Sequence, residues 1–253
     1  MAILRFAMVL AVLACLPARA EQVVAGLSQA RISINTSFQG SEILVFGAVK
    51  REAPIPAGQL DVIITVQGPA VPVTVRRKAR RMGIWINTEA VEVDLAPSFY
   101  SVSTTAPLDR ALNETEDLRH KVSIARAIRA VGVTEDTANL PAFIQALIRI
   151  RTEAGLYQTR PGAISLIEDT LFRTGIALPS DLVEGDYLTR IFLTRGGQVI
   201  DMHQTTIPVR KVGIERWIFN LAHQRPFIYG LLSLLIAVTA GWGASAVFRY
   251  FRA

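Results

Sequence analysis

The strongest candidate for a binding site in this sequence is a run of positive charge. Five cations fill six positions, namely Arg76, Arg77, Lys78, Arg80 and Arg81. Adjacent like charges repel one another and are costly to bury, so the run must face either water or an anion. Guanidinium groups suit bidentate binding of oxyanions, phospholipid headgroups and carboxylates. The run indicates a solvated strand end or a site for an anion or acidic partner, with Trp85 as a neighbour.

The other residue types that carry chemistry lack the spacing of a known site. His120, His203 and His223 do not show the spacing of zinc ligands. The acidic turn Asp181–Asp186 lacks the ordered ligands of a calcium loop. Neither a phosphate-binding glycine loop nor a Gly-x-Ser-x-Gly nucleophile turn is present. The sequence therefore predicts no metal, no cofactor and no enzymatic activity.

Residues 1–20 have the pattern of an export signal. An arginine near the start precedes an apolar stretch that is too short to span a bilayer. Ala18 and Ala20 then form a small-x-small cleavage site, so we expect the mature chain to begin at Glu21. The residues ending at Cys15 also resemble a lipoprotein processing box, and lipidation of Cys15 is the alternative to its removal with the signal.

Residues 227–248 form the second membrane signal. These 22 residues carry no charge, and as a helix they would span about 33 Å, close to the thickness of a bilayer core. We expect one transmembrane helix here and a cytoplasmic tail over residues 249–253. Within the span, Ala237, Gly241 and Ser245 recur every four residues and predict a smooth stripe against which another helix packs.

The segment just before the span, residues 214–226, is amphipathic. Ile214, Trp217, Ile218 and Leu221 follow helical spacing, with polar residues between them. Such a segment either lies on the membrane surface or packs on the outer domain.

The body, residues 21–213, contains two kinds of periodicity. Short alternating or apolar segments with Gly and Pro between them predict strands over residues 27–107 and again over 163–209. The insertion at residues 109–157 has helical spacing and predicts a helical hairpin, with one helix over 114–131 and another from Pro141 to Gly155. We expect an α+β fold, mainly an antiparallel immunoglobulin-like β-sandwich with a helical insertion. Two small sandwiches flanking a helical linker are the alternative.

The distribution of charge argues against a nucleic-acid partner. The chain has a formal net charge of +6, but residues 21–213 hold 21 basic and 20 acidic residues. The excess lies in the predicted signal and around the predicted membrane helix. For an exported, nearly neutral domain with one basic run, the expected partners are a lipid bilayer and an anionic ligand or surface.

Several short motifs, in their order along the chain, resemble a known family. They are Gly83-Ile-Trp-Ile-Asn87, Pro97-Ser-Phe-Tyr100, Gly155-Leu-Tyr157, Gly185-Asp-Tyr187 and Tyr229-Gly230 with Gly241-Trp242. The chain resembles an uncharacterised family of alphaproteobacterial transmembrane proteins. The resemblance implies a single-pass inner-membrane protein with a periplasmic domain. Proteins of this family are often encoded beside permeases of the sulfite-exporter type, which implies a transport-associated role. It supplies no catalytic residues.

From these patterns we expect a membrane-anchored periplasmic accessory or binding protein. Its partners would be the lipid bilayer, an integral membrane transporter and an anionic ligand, for instance in the export of anions or sulfur oxyanions. The chain is expected to lie in a bacterial inner membrane with its bulk in the periplasm. The alternatives are a periplasmic enzyme whose polar site only the fold assembles, and a structural or chaperone protein of the cell envelope.

Overall fold

A computed structural model describes residues 21–35, 38–52, 54–130 and 139–251. The predicted signal peptide, Cys15 and residues 252–253 of the predicted tail lie outside the described residues. The chain divides into two units, which are described separately. The first runs to Ala30 and continues from Gln39 to Pro208, and the second comprises Arg31–Phe38 and the residues from Val209 onward.

The described part of the chain contains twelve strands. In chain order they are β1 Glu21–Leu27, β2 Ile32–Ile34, β3 Ser41–Arg51, β4 Leu60–Gln67, β5 Ala70–Arg81, β6 Ile84–Pro97, β7 Tyr100–Thr104, β8 Tyr157–Pro161, β9 Ser165–Ile167, β10 Leu171–Leu178, β11 Gly185–Arg195 and β12 Gln198–Lys211.

The first unit is a sandwich of sheets, as the sequence predicts. The smaller sheet has the strand order β1-β3-β10-β9, and β12-β11-β4-β7-β8 are consecutive strands of the larger one. Strands β1, β3 and β10 alternate buried and exposed residues, so one face of the small sheet meets the core. Strand β4 is buried along nearly its whole length because the large sheet is covered on both faces. The α+β class is therefore confirmed.

One pairing in this unit departs from an all-antiparallel arrangement. Strand β8 follows the helical insertion and pairs in parallel with β7, with Tyr100 opposite Tyr157. A parallel neighbour requires a long crossover connection, which the helices between residues 108 and 153 supply. Strands β5 and β6 form a separate two-stranded hairpin.

The helical insertion holds four helices among its described residues rather than two. They are α1 Leu108–Ala111, α2 Glu114–His120, α3 Ile124–Ala127 and α4 Leu140–Glu153.

The prediction of a single helix over residues 114–131 is wrong. The observed helix α2 ends at Lys121, which has a left-handed backbone with φ of 51°. The carboxylate of Asp117 then accepts hydrogen bonds from the backbone N–H groups of Val122 (3.0 Å) and Ser123 (2.7 Å), which holds the chain in a turn. Residues 131–138, where the predicted helix would end, lie outside the described residues.

The helices and the hairpin share one hydrophobic cluster with the large sheet. Helix α4 begins with a proline in its first turn, as predicted, and buries Phe143 and Leu147. These two side chains join Val75 and Val93 of the hairpin and Tyr100 of β7. Both the base of the hairpin and helix α4 are therefore anchored in the core.

The second unit contains strand β2, the end of β12 and two helices. Strand β2 pairs in parallel with the end of β12, with Ile32 opposite Val209. Helix α5 spans Ile214–Gln224 and helix α6 spans Pro226–Phe251.

Helix α6 is the membrane helix that the sequence predicts. Its segment Pro226–Ser245 has a mean hydropathy of 1.8 and is the single stretch in the described residues that is long and apolar enough to cross a membrane. The hydroxyls of Ser233 and Thr239 donate hydrogen bonds of 2.9 Å to the carbonyls of Tyr229 and Leu235 within the helix. Their polar groups are thus satisfied internally, as a lipid environment requires. The chain is a membrane-anchored protein.

Candidate functional site

The basic run lies on the distal part of the β5–β6 hairpin. Arg76 is opposite Ala90 and Arg81 is opposite Ile84, next to the turn. All five cations of the run are exposed. Val75 is the one buried residue of this strand and belongs to the core cluster, so the charges begin directly after the residue that anchors the strand.

A groove runs between this strand and helix α4. It has a volume of about 310 Å³. Four cations line it, namely Arg76, Arg77, Lys78 and Arg149. Its apolar lining comes from Val75, Ala142, Phe143, Ala146 and Ile150. The groove therefore combines a cationic rim with apolar walls.

The periodicity of helix α4 explains why it contributes to the groove. Phe143 and Leu147 lie one turn apart and fix the helix on the core. Phe143, Ala146 and Ile150 follow the spacing of an adjacent stripe, which faces the hairpin. Ile150 follows Leu147 by three positions on the helix, but it is exposed and lines the groove.

The positive charge of the groove is largely uncompensated. Arg77 forms an ion pair of 3.3 Å with Glu89, but both side chains are well exposed, so the pair contributes little. Within the described residues, no carboxylate lies within ion-pair distance of Arg76, Lys78 or Arg149. The site is accordingly suited to an anion that supplies several oxygen acceptors.

The structure separates the predicted site residues into two groups. Arg76, Arg77 and Lys78 meet in the groove, whereas Arg80 and Arg81 lie farther along the strand and do not line it. Trp85, opposite Arg80 on β6, is exposed and outside the groove as well.

Arg149 is a member of the site that the sequence did not predict. Its place on the polar side of a predicted helix was visible in the sequence, but its approach to a strand much earlier in the chain was not. Arg149 follows Phe143 by six positions, and the burial of that phenylalanine brings the arginine to the hairpin.

The remaining predicted residues lie elsewhere. Ala237, Gly241 and Ser245 are exposed on one face of helix α6, at the predicted spacing. Across the described residues, no group of three metal-ligating side chains occurs. The Nε2 atom of His120 instead lies 3.4 Å from Oε2 of Glu116. The ring of His223 stacks on that of Phe219, with 4.0 Å between the ring centroids.

Two buried tyrosines have raised pKa values, but their hydroxyls are hydrogen-bonded within the protein. Burial raises the pKa of Tyr100 and of Tyr157 to about 12 in each case. Tyr100 donates a hydrogen bond of 2.9 Å to the carbonyl of Val122, and Tyr157 donates one of 2.8 Å to that of Pro97. The hydroxyl of Tyr100 therefore ties the large sheet to the helical insertion, and that of Tyr157 ties the large sheet to the base of the hairpin.

Comparison with known proteins gives a sequence family and distant similarity to solved structures. The family model described as "Putative transmembrane protein (Alph_Pro_TM)" matches residues 22–250. The sporulation control protein Spo0M from Bacillus subtilis is similar over 76% of this chain, with 12% identity and a TM-score of 0.25. The chain covers 49% of the length of that protein. No curated protein matches the sequence.

Proposed function

The chain belongs to the Alph_Pro_TM family of transmembrane proteins, and from this premise we propose that it is a periplasmic accessory protein that binds an oxyanion for a membrane transporter. The observation that carries the proposal is the groove lined by Arg76, Lys78 and Arg149, whose charges have no acidic partner among the described residues. In this proposal the signal exports the body and helix α6 holds it at the inner membrane.

The groove favours a small oxyanion that either carries a small apolar group or keeps part of its hydration shell. Guanidinium groups from two elements, β5 and α4, approach the same space and would share the oxygens of one ligand. The phenyl ring of Phe143 forms an apolar wall beside them. Sulfur oxyanions fit this chemistry because they are compact, negatively charged at neutral pH and rich in acceptors.

The association with a transporter rests on helix α6. Its stripe of Ala237, Gly241 and Ser245 offers a surface that another membrane helix can approach closely. A ligand held in the groove would then be kept at the same membrane as its carrier, which raises its effective concentration there.

Isothermal titration of the full chain in mild detergent with sulfite, thiosulfate, sulfate and phosphate tests the binding step. We expect saturable, salt-sensitive binding of at least one of these anions, weakened about tenfold or more by Arg149→Gln. Arg110→Gln, which removes an exposed cation of α1 that does not line the groove, is the matched control. Absence of binding, or equal loss in both variants, would overturn the binding role.

Purification of the tagged chain from native membranes tests the second step. The proposal expects one integral membrane transporter to co-purify repeatedly and to be lost from Gly241→Leu, which fills the smooth stripe. Repeated purification without any integral membrane protein would contradict the association.

A further inference from the structure

The turn of the β5–β6 hairpin presents an apolar tip to solvent. Met82 is fully exposed, and Ile84 and Trp85 expose 64% and 68% of their surface. Ile86, the next residue of β6, is exposed as well. Single exposed apolar residues are common on proteins, but four large ones within residues 82–86 form an exposed apolar patch that extends over both faces of the turn. Such patches normally mark a contact surface.

The residue at the turn is unfavourable for the backbone that it adopts. Met82 and Gly83 both have left-handed backbones, with φ of 49° and 86°. Two-residue hairpin turns favour Asn or Asp before Gly, because short polar side chains tolerate this conformation. A long apolar side chain costs conformational energy here. Since Met82 is fully exposed, it recovers none of that energy by burial within the chain.

The strand leading to this tip is strongly cationic. Residues 76–88 contain five cations and no carboxylate. Outside residues 76–81, the rest of the body from 21 to 213 carries 16 basic and 20 acidic residues. An anionic surface would therefore attract the hairpin and repel the remainder of the body.

Cations and apolar groups are interleaved on both faces of the hairpin. Arg81 is opposite Ile84, and Arg80 is opposite Trp85 on the next cross-strand pair. Directly opposite residues share a face, and successive residues alternate between faces. Each face near the turn thus carries one guanidinium group and one large apolar side chain.

We propose that the hairpin tip, residues 80–85, inserts end-on into the headgroup region of an anionic lipid bilayer. In that position the apolar groups enter the upper acyl layer, while the arginine side chains extend to lipid phosphates. Lipid contacts both faces of an inserted tip, whereas a protein groove normally covers one face. Helix α6 anchors the same chain in a membrane, which keeps a lipid surface at a high effective concentration near the chain. This inference does not depend on the oxyanion groove.

A fluorescent label at the turn tests the proposal in the full chain. Met82→Cys, in a Cys15→Ser background, is labelled with an environment-sensitive dye and reconstituted into nanodiscs. We expect blue-shifted emission and quenching by lipids spin-labelled near the headgroup when the discs contain anionic phosphatidylglycerol. The signal should revert toward that of water in phosphatidylcholine discs and in high salt. The inserted population should fall about fivefold for each cation removed in Arg80→Gln and Arg81→Gln.

The matched control carries the label at Glu92, which is exposed on the same hairpin but lies near its base. The label at Glu92→Cys should report water in both kinds of disc. Ile84→Ser with Trp85→Ser should abolish insertion of the tip while leaving oxyanion binding unchanged, and Arg149→Gln should leave insertion unchanged. A water-like tip in phosphatidylglycerol discs would overturn the proposal. Protection of the tip only when native membrane proteins are added would identify a protein as its occupant and would also overturn it.

Discussion

Arg195 donates hydrogen bonds of 3.0 Å to both carboxylate oxygens of Glu21, a residue 174 positions earlier in the chain. Arg51 donates a third from its Nε, at 2.7 Å. The two arginines continue to main-chain carbonyls, Arg51 to that of Asp169 and Arg195 to that of Pro56. Glu21 and Arg51 belong to the small sheet and Arg195 to the large one, so this cluster joins the two layers of the sandwich.

Replacement of Glu21 by Gln should destabilise the body by about 3–5 kcal/mol, because it leaves two largely buried guanidinium groups without a counter-charge. The side chains of Arg51 and Arg195 are only 11% and 12% exposed. Urea unfolding of the detergent-solubilised chain, followed by circular dichroism, measures the loss. Glu92→Gln, at an exposed site, should change stability by about 0.5 kcal/mol or less. Equal effects in both variants would show that the cluster does not stabilise the fold.

The same cluster predicts how stability depends on pH. Burial raises the pKa of Glu21, but hydrogen bonds and charge from Arg51 and Arg195 outweigh it and hold that pKa below the ordinary 4.5. The contribution of Glu21 is therefore complete above pH 4.5 and is lost as the pH falls through the lower pKa of the folded state. Unfolding free energies measured from pH 7 to pH 3 should show the advantage of wild type over Glu21→Gln shrinking below pH 4.5. A constant difference over this range would contradict the assignment.

Gly47 should not tolerate a side chain, because strand β1 approaches it closely. A Cβ at this position would lie 2.6 Å from the carbonyl oxygen of Val24 and 2.4 Å from the ring of Phe172. Gly47→Ala should destabilise the body by about 1–3 kcal/mol through overpacking, measurable by thermal unfolding. Gly26→Ala is the comparison, since its Cβ would meet only the ring of Phe46, at 3.1 Å. A ring can shift where a paired backbone cannot, so a larger loss in Gly26→Ala would argue against this packing.

Strands with clear alternation or apolar runs were predictable, and those without were not. Strand β8 was missed because Tyr157 is its one buried residue and polar residues follow it. Its parallel pairing with β7 depends on the intervening helices, which sequence periodicity does not reveal. Strand β1 was missed because its burial alternates but its residue types do not, since Glu21 is buried and Val24 is exposed.

The candidate site was predictable only in part, for a similar reason. The charges of Arg76, Arg77 and Lys78 are adjacent in sequence, and their mutual repulsion is a local property. The contribution of Arg149 depends on the packing of Phe143 in a core shared with the hairpin. Likewise, the exposure of Met82 follows from the length of the hairpin beyond that core.

The predicted signal should be cleaved after Ala20. Ala18 and Ala20 supply the small side chains that signal peptidase requires, so mass spectrometry of the membrane-extracted chain should find Glu21 at its N-terminus. Replacing both alanines by Leu should block this processing, since the larger side chains do not fit the enzyme's shallow pockets. Cys15→Ser should leave it unchanged, because the cysteine is removed with the signal. A mature chain that instead begins with a lipidated Cys15, and is lost in Cys15→Ser, would establish the lipoprotein alternative. It would also give the body a second membrane attachment, six residues before the glutamate that joins its two sheets.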